Sequence, residues 1–197
     1  MSLVRAFIAV KIPSALQEQI HREVKSLRGH LEGTLVRWVP PQNIHLTLKF
    51  LGDTPTSRLD LLKENLAAEV AKISPFDIKV RKIGAFPKLS RPSVIWIGVE
   101  DNDELFSLQR SIERVASQIG NVPEKRRFSA HLTLGRVTRK GYSKRARVQI
   151  SKAIEESPVY DFGRVRVDSV HLFESELKPT GAVYRSLFEA RLGEFFE

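Results

Sequence analysis

Three features of the sequence predict an α+β fold built from two similar lobes. The tetrapeptide His45-Leu46-Thr47-Leu48 recurs 86 positions later (131 − 45) as His131-Leu132-Thr133-Leu134. Short stretches that alternate apolar and polar residues, the period of a half-buried strand, are interleaved with longer stretches whose apolar residues recur every three or four, the period of a helix. These stretches run β-α-β-β-α-β and then broadly the same again, with one tetrapeptide in each half. Two antiparallel or mixed sheets satisfy all three features, with helices on their outer faces and the two repeat strands side by side in a central cleft across a pseudo-two-fold axis.

Residues 4–11 read as the first strand. Ser14 then offers an N-cap to a helix with Leu16, Ile20, Val24 and Leu27 on one face, closed by Gly29 and Gly33. A short strand at 35–39 stops at Pro40-Pro41, and the first repeat strand, 44–51, ends at Gly52-Asp53. Thr56 or Ser57 caps a second helix with the stripe Leu59, Leu62, Leu66, Val70 and Ile73. Strands follow at 76–80, running on towards Phe86, and at 93–99, whose Ile95, Trp96 and Ile97 read as core. Asp101 and Asp103 offer caps for a third helix, which carries Leu105, Leu108, Ile112, Val115 and Ile119 and ends at Gly120. The second repeat strand lies within 128–137, a fourth helix spans about 143–156, and strands at 165–173 and 183–192 complete the chain.

At 197 residues with no linker long enough to free one half from the other, the chain is expected to be one domain of two intimately packed lobes, each with one repeat. The apolar opening is broken by Arg5 and Lys11 and lacks a small-residue cleavage site, so it reads as a buried strand, not a signal peptide. No apolar run is long enough to span a bilayer, and a cytoplasmic monomer is the expectation. The absence of Cys excludes disulfides, thiolate catalysis and Cys-based metal sites. The net charge of +9 is concentrated: Lys125, Arg126, Arg127, Arg136, Arg139, Lys140, Lys144, Arg145 and Arg147 fall in one stretch that has no acidic residue and that brackets His131. Such a field favours a polyanion, nucleic acid first.

In an extended strand, alternate side chains share a face, so His and Thr of each repeat point outward while both Leu point to the core. Two imidazoles on one surface suit a reaction in which one takes a proton from an attacking oxygen and the other gives one to a leaving oxygen. A phosphodiester attacked in line meets that requirement. Thr47 and Thr133 would donate to non-bridging oxygens, and Arg136 would add a charge-assisted contact. A metal is disfavoured, because two His need a third ligand and neither repeat has the spacing that gathers ligands locally. His21 and His30 read as solvated, and His171, in an alternating strand, as structural. The non-enzymatic rival is an RNA-binding module in which Phe7, Trp38 and Tyr184 stack bases.

The stretches Arg37-Trp38-Val39-Pro40-Pro41-Gln42-Asn43-Ile44-His45-Leu46-Thr47-Leu48-Lys49-Phe50-Leu51-Gly52-Asp53 and Phe128-Ser129-Ala130-His131-Leu132-Thr133-Leu134-Gly135-Arg136 resemble the two signatures of the 2H phosphoesterases. Nearly the whole chain resembles the RNA 2′,3′-cyclic phosphodiesterases, first named 2′-5′ RNA ligases. This resemblance implies the bilobal 2H phosphoesterase fold and cofactor-free, metal-independent opening of an RNA 2′,3′-cyclic phosphate to a 2′-phosphate. It also implies that His45 is the proton donor, that His131 is the proton acceptor, and that Thr47 and Thr133 hold the phosphate. The alternative activity it implies is joining of 2′,3′-cyclic phosphate and 5′-hydroxyl RNA ends. Independently of the resemblance, the basic flank should favour the neutral, base-ready form of His131 over that of His45.

Overall fold

The structure, a computed structural model, describes residues 2–31, 35–158, 160–179 and 181–193. Among the described residues, nine strands and five α-helices follow in chain order: β1 (Leu3–Lys11), α1 (Ser14–Glu23), α2 (Lys25–His30), β2 (Val36–Trp38), β3 (His45–Pro55), α3 (Leu59–Val70), β4 (Phe76–Phe86), β5 (Val94–Val99), α4 (Asp103–Gln118), β6 (His131–Val137), α5 (Lys144–Glu155), β7 (Asp161–Val167), β8 (Ser169–Lys178) and β9 (Gly181–Arg191). The strands lie in the order β7-β4-β5-β6-β3-β1-β8-β9, with β2 added on β6. The two repeat strands are therefore the central neighbours. Every pairing is antiparallel.

The two expected sheets are two wings, β7-β4-β5-β6 and β3-β1-β8-β9, joined at a single residue pair, Leu46 opposite Leu132. Both leucines have no exposed surface, and with Leu48 and Leu134 they enter one continuous core together with the helix stripes that contain Ile20, Leu62, Leu66, Leu108, Ile112 and Ile150. Helices thus cover the leucine face and leave the histidine face uncovered. Among the described residues, no helix is long and apolar enough to cross a membrane.

One boundary differs from the sequence reading in a way that shapes the molecule. The stretch 165–173 is not one strand: β7 pairs with β4 in one wing, and β8 pairs with β1 in the other. Only Asp168 separates them. On a flat sheet, six strand spacings would hold β7 and β8 about 29 Å apart, whereas the two peptide steps from Val167 to Ser169 reach at most ~7 Å. The sheet must curl until the wings meet at Asp168. Alternation could not reveal the break, because Val165, Val167 and Val170 are all buried and apolar whichever wing receives them.

Local signals differ in smaller ways. Asn102, rather than either flanking aspartate, caps α4 by accepting from the Leu105 N–H at 2.7 Å. Pro13 takes the capping position before α1, so Ser14 is its first helical residue. The first predicted helix breaks at Val24 into α1 and α2, and Gly29 lies inside α2. Gly33 lies outside the described residues. A tight helical turn at Thr56–Arg58 precedes α3, and Ser143 caps α5 through the Ala146 N–H.

Lys49 departs from the alternation and is 5% exposed. Its ammonium donates to Glu113 of α4 at 2.7 Å and to the Val122 carbonyl at 2.9 Å. Removing one partner of a buried pair strands the other charge, at a cost of roughly 3 kcal/mol. Glu113→Leu should therefore destabilise the protein by about that much and Lys49→Met by clearly less, since methionine fills the site and leaves the better-solvated carboxylate. Urea denaturation of both variants tests this; equal losses would contradict it.

Candidate active site

The junction of β3 and β6 builds the site. With Leu46 opposite Leu132 in an antiparallel pair, extending the register one residue each way sets His45 across from Thr133 and Thr47 across from His131. All four side chains are half-buried on the face opposite the leucines. The structure thus brings the four predicted residues together in one crossed arrangement.

The two imidazoles are held alike. The Nδ1 of His45 lies 2.7 Å from the Asn43 carbonyl, and the Nδ1 of His131 lies 2.7 Å from the Ser129 carbonyl, each two residues upstream. A carbonyl only accepts, so Nδ1 carries the proton in both rings and Nε2 is left as the nitrogen that gains or loses one. Aromatic rings fix the orientation: Phe7 stacks on His45 at 4.8 Å between centroids, and Phe86 meets His131 edge-on at 4.8 Å. Phe86 and the two carbonyls escaped the sequence reading, and a backbone acceptor leaves no residue-type signal that could have revealed them.

Burial is the main influence on both imidazoles and pushes both below the usual histidine range, against the opposing pull of the carbonyl each bonds. His131 further lowers His45, so the two rings sense each other's charge, and Arg136 further lowers His131. Of the basic flank, Arg136 thus acts on His131 in the expected sense, but less than burial, which lowers His45 as well. The flank is also not one patch: Lys125–Arg127 precede β6 while Arg139, Lys140, Lys144 and Arg145 follow it, so the cations collect at its two ends.

Strict alternation would turn Arg136 away from His131 and Thr133. A bulge restores it. The β5–β6 register shifts so that Trp96 faces Thr133 while Ile95 faces Gly135, which leaves Leu134 as an extra residue. The same shift occurs at the same place in β3, where Ala9 faces Thr47 and Ile8 faces Lys49, leaving Leu48 extra. Each bulge moves the residue five after the histidine onto the site face: Arg136 in one half and Phe50 in the other. The residue before it turns inward. In β3 this is Lys49; in β6 it is Gly135, where a Cβ would lie 2.6 Å from Val36 Cγ1 because β2 passes over it. The same parity overturns the expectation for Trp96. It is half-buried on the site face between the core residues Ile95 and Ile97, and its ring lies against Phe86 at 5.1 Å.

A cleft of about 1390 Å³ opens beside His45. Its walls include Arg136, Tyr184, Trp38, Arg37 and Lys11; among the described residues they do not include His131 or Phe50. Tyr184 meets His45 edge-on at 5.2 Å, and its phenol is pushed up by burial against the opposing charges of Arg136 and Arg5. Phe7, expected to stack a base, cannot do so. It is 3% exposed and packed among His45, Phe173 and Tyr184, so its role is to orient His45. His171 sits in the cleft wall, 5% exposed, with Nε2 3.4 Å from the Ser169 hydroxyl. His21 and His30 are exposed on α1 and α2. Among the described residues, no three His, Cys, Asp or Glu side chains converge as a metal would require.

A sheet whose central strands present two identically anchored imidazoles beside two threonines is the architecture of a 2H phosphoesterase. The chain belongs to the LigT-like phosphoesterase family, whose model matches residues 10–96 and again 97–184, once for each repeat. It is 35% identical over 189 residues to the RNA 2′,3′-cyclic phosphodiesterase of Methanothermobacter thermautotrophicus, covering 96% of this chain and 99% of that one. It is 32% identical over 196 residues to the protein of the same name from Aquifex aeolicus, covering 98% of this chain and all of the other. In fold it is similar to E. coli LigT, crystallised with 3′-AMP, at a TM-score of 0.77 and 22% identity over 98% of this chain and 100% of that chain. TT0787 of Thermus thermophilus superposes with a TM-score of 0.74 at 27% identity, over 97% and 100% of the two chains.

Because both imidazoles are lowered, NMR should show each titrating below 6.5, the ordinary histidine value. Between that value and the folded pKa the unfolded chain binds more protons, so the stability these groups contribute is complete above pH 6.5 and is lost as pH falls towards the folded values. A titration above 6.5 at either histidine would contradict the burial argument.

Proposed function

We propose that the chain hydrolyses RNA 2′,3′-cyclic phosphate ends to 2′-phosphomonoesters by metal-independent acid/base catalysis, with His45 as proton donor and His131 as proton acceptor. The observation that carries the order of roles is the position of the cleft. In a 2′,3′-cyclic phosphate both bridging oxygens belong to one ribose, so the nucleoside and the leaving oxygen lie on the same side of phosphorus. The cleft, large enough for more than one nucleotide by comparison with ordinary ligand pockets, flanks His45 and not His131. The 3′ oxygen then meets His45 Nε2, and water enters in line from the side of His131.

His131 Nε2 takes the water proton as the P–O bond forms, and His45 Nε2 gives its proton to the departing 3′ oxygen. Thr47 and Thr133, each across from the opposite histidine, donate to the non-bridging oxygens, and Arg136 adds a cation to the charge that develops there. Tyr184 and Trp38 line the path of the RNA chain, while Phe7 orients His45. The reading treats the chain as one domain of two packed lobes, working as a monomer in the cytoplasm.

The test is a defined oligonucleotide with a 2′,3′-cyclic end, incubated with the protein in EDTA. A 2′-phosphate should form at the rate seen without chelator. His45→Ala and His131→Ala should each lower turnover at least ~10²-fold, the scale of one lost general acid or base, with RNA binding retained. Arrest by EDTA, or near-normal turnover in either variant, would overturn the mechanism. The rate–pH profile should be a bell centred below pH 6.5, since both histidines are displaced to the acid side of that value.

A further inference from the structure

The end of β8 and the start of β9 do not lie where the sheet would carry them. β8 pairs with β1 as far as Glu174 opposite Ala6, and beyond that, among the described residues, β8 and β9 pair only with each other. On a flat sheet Ala182, opposite Leu177, would stand level with Leu3, eight residues along β1 from the Lys11–His45 pair. That is about 27 Å along the strands. Yet the Asn43 side-chain amide donates to the Ala182 carbonyl at 2.8 Å. Past Glu174 the β8–β9 hairpin therefore folds back across the histidine face towards the start of β3. Tyr184 marks its path, edge-on to Phe7 at 5.0 Å and to His45 at 5.2 Å.

The turn that carries Asn43 is fixed by other bonds. The Asn43 N–H donates to the Pro40 carbonyl at 2.9 Å, the Ile44 N–H to the Pro41 carbonyl at 3.0 Å, and the Gln17 amide of α1 to the Ile44 carbonyl at 2.9 Å. The folded-back hairpin has no such support. Among the described residues, no other hydrogen bond or ion pair joins residues 175–184 to the rest of the chain. Held there, Tyr184, Val183 and Leu177 line the cleft beside His45, with Val183 and Leu177 exposed. Apolar surface left open in a cleft suits a ligand with an apolar face, as a nucleoside has in its base. We infer that Asn43 is a positioning residue, whose amide holds the β8–β9 hairpin over the cleft as the wall against which the substrate nucleoside packs. This rests on the phosphodiesterase reading above and extends it to the binding step. Asn43 then sets substrate and proton donor from one point, the first through its side chain and the second through the carbonyl that anchors His45.

Replacing the side chain separates the two duties, because the backbone carbonyl stays. Asn43→Ala and Asn43→Leu, the second keeping the branched shape without the donor, are compared with wild type on adenosine 2′,3′-cyclic phosphate. In both, KM should rise at least about fivefold, the factor one hydrogen bond is worth, and by more than kcat falls. NMR gives a second readout that needs no turnover. Burial is the largest influence lowering His45, so a released hairpin should let His45 titrate closer to 6.5 while His131 moves little. A fall in the His45 titration would mean that the side chain serves the carbonyl instead, and would overturn the inference. So would an unchanged KM, an equal shift at both histidines, or loss of folding in both variants. A wild-type chain that hydrolyses nothing would overturn the phosphodiesterase reading alone, and the His45 titration would still decide whether Asn43 holds the hairpin.

Discussion

The molecule depends on one backbone pair. Leu46 and Leu132 face each other at the only point where β3 and β6 are paired, and both side chains are sealed in the core. Period-2 geometry then leaves their neighbours no choice: a histidine and a threonine from each strand must emerge on the other face, crossed so that each histidine lies across from the partner strand's threonine. A longer ladder would hold the strands parallel and leave a flat surface. A single pair lets them diverge, and the cleft opens beside His45. The buried leucines hold the catalytic geometry in place, because a slip of one residue would exchange core and site faces along the whole strand.

Electrostatics sharpen what packing establishes. Each imidazole is anchored through Nδ1, so only Nε2 exchanges protons, and rings packed against it keep that nitrogen aimed. The same packing removes water and lowers both pKa values, with the imidazoles close enough for one to disfavour a charge on the other. A pair coupled in this way holds one proton more readily than two, which is the state that acid/base catalysis uses: one ring charged and one neutral. Which ring holds the proton on the productive path is then decided by the substrate, through the side on which the leaving oxygen lies.

Much of this was open to a reader of the sequence. The repeat, the alternation and the helix stripes named the four central residues and the layer each would occupy, because those signals arise from neighbours along the chain. What lay beyond reach arises from partners elsewhere. Arg136 was selected for its proximity, yet period-2 reasoning would have turned it away; the bulge at Leu134 that rescues it depends on the β5 register. Trp96 read as core because it sits among isoleucines, although parity places it on the opposite face from Ile95 and Ile97. Phe7 reads in the sequence as an aromatic able to stack a base, but only the packing of β1 against β3 and β8 shows its ring enclosed. The division of 165–173 between two wings left no trace at all in a continuous apolar alternation.

The positions just after the bulges show how a duplicated framework acquires two functions. At one, Gly135 has no side chain, and its bareness admits β2, which brings Trp38 and Arg37 to the edge of the cleft and walls the His45 side. At the other, Lys49 turns inward to Glu113 and the Val122 carbonyl and, with the bond from Asn121 to the Leu51 carbonyl, ties the chain after α4 to β3. The two halves are therefore walled differently, and the cleft lies beside His45. A symmetric site could exchange the roles of its two histidines freely. Here a missing side chain at Gly135 and a buried ammonium at Lys49 break the symmetry from outside the four central residues.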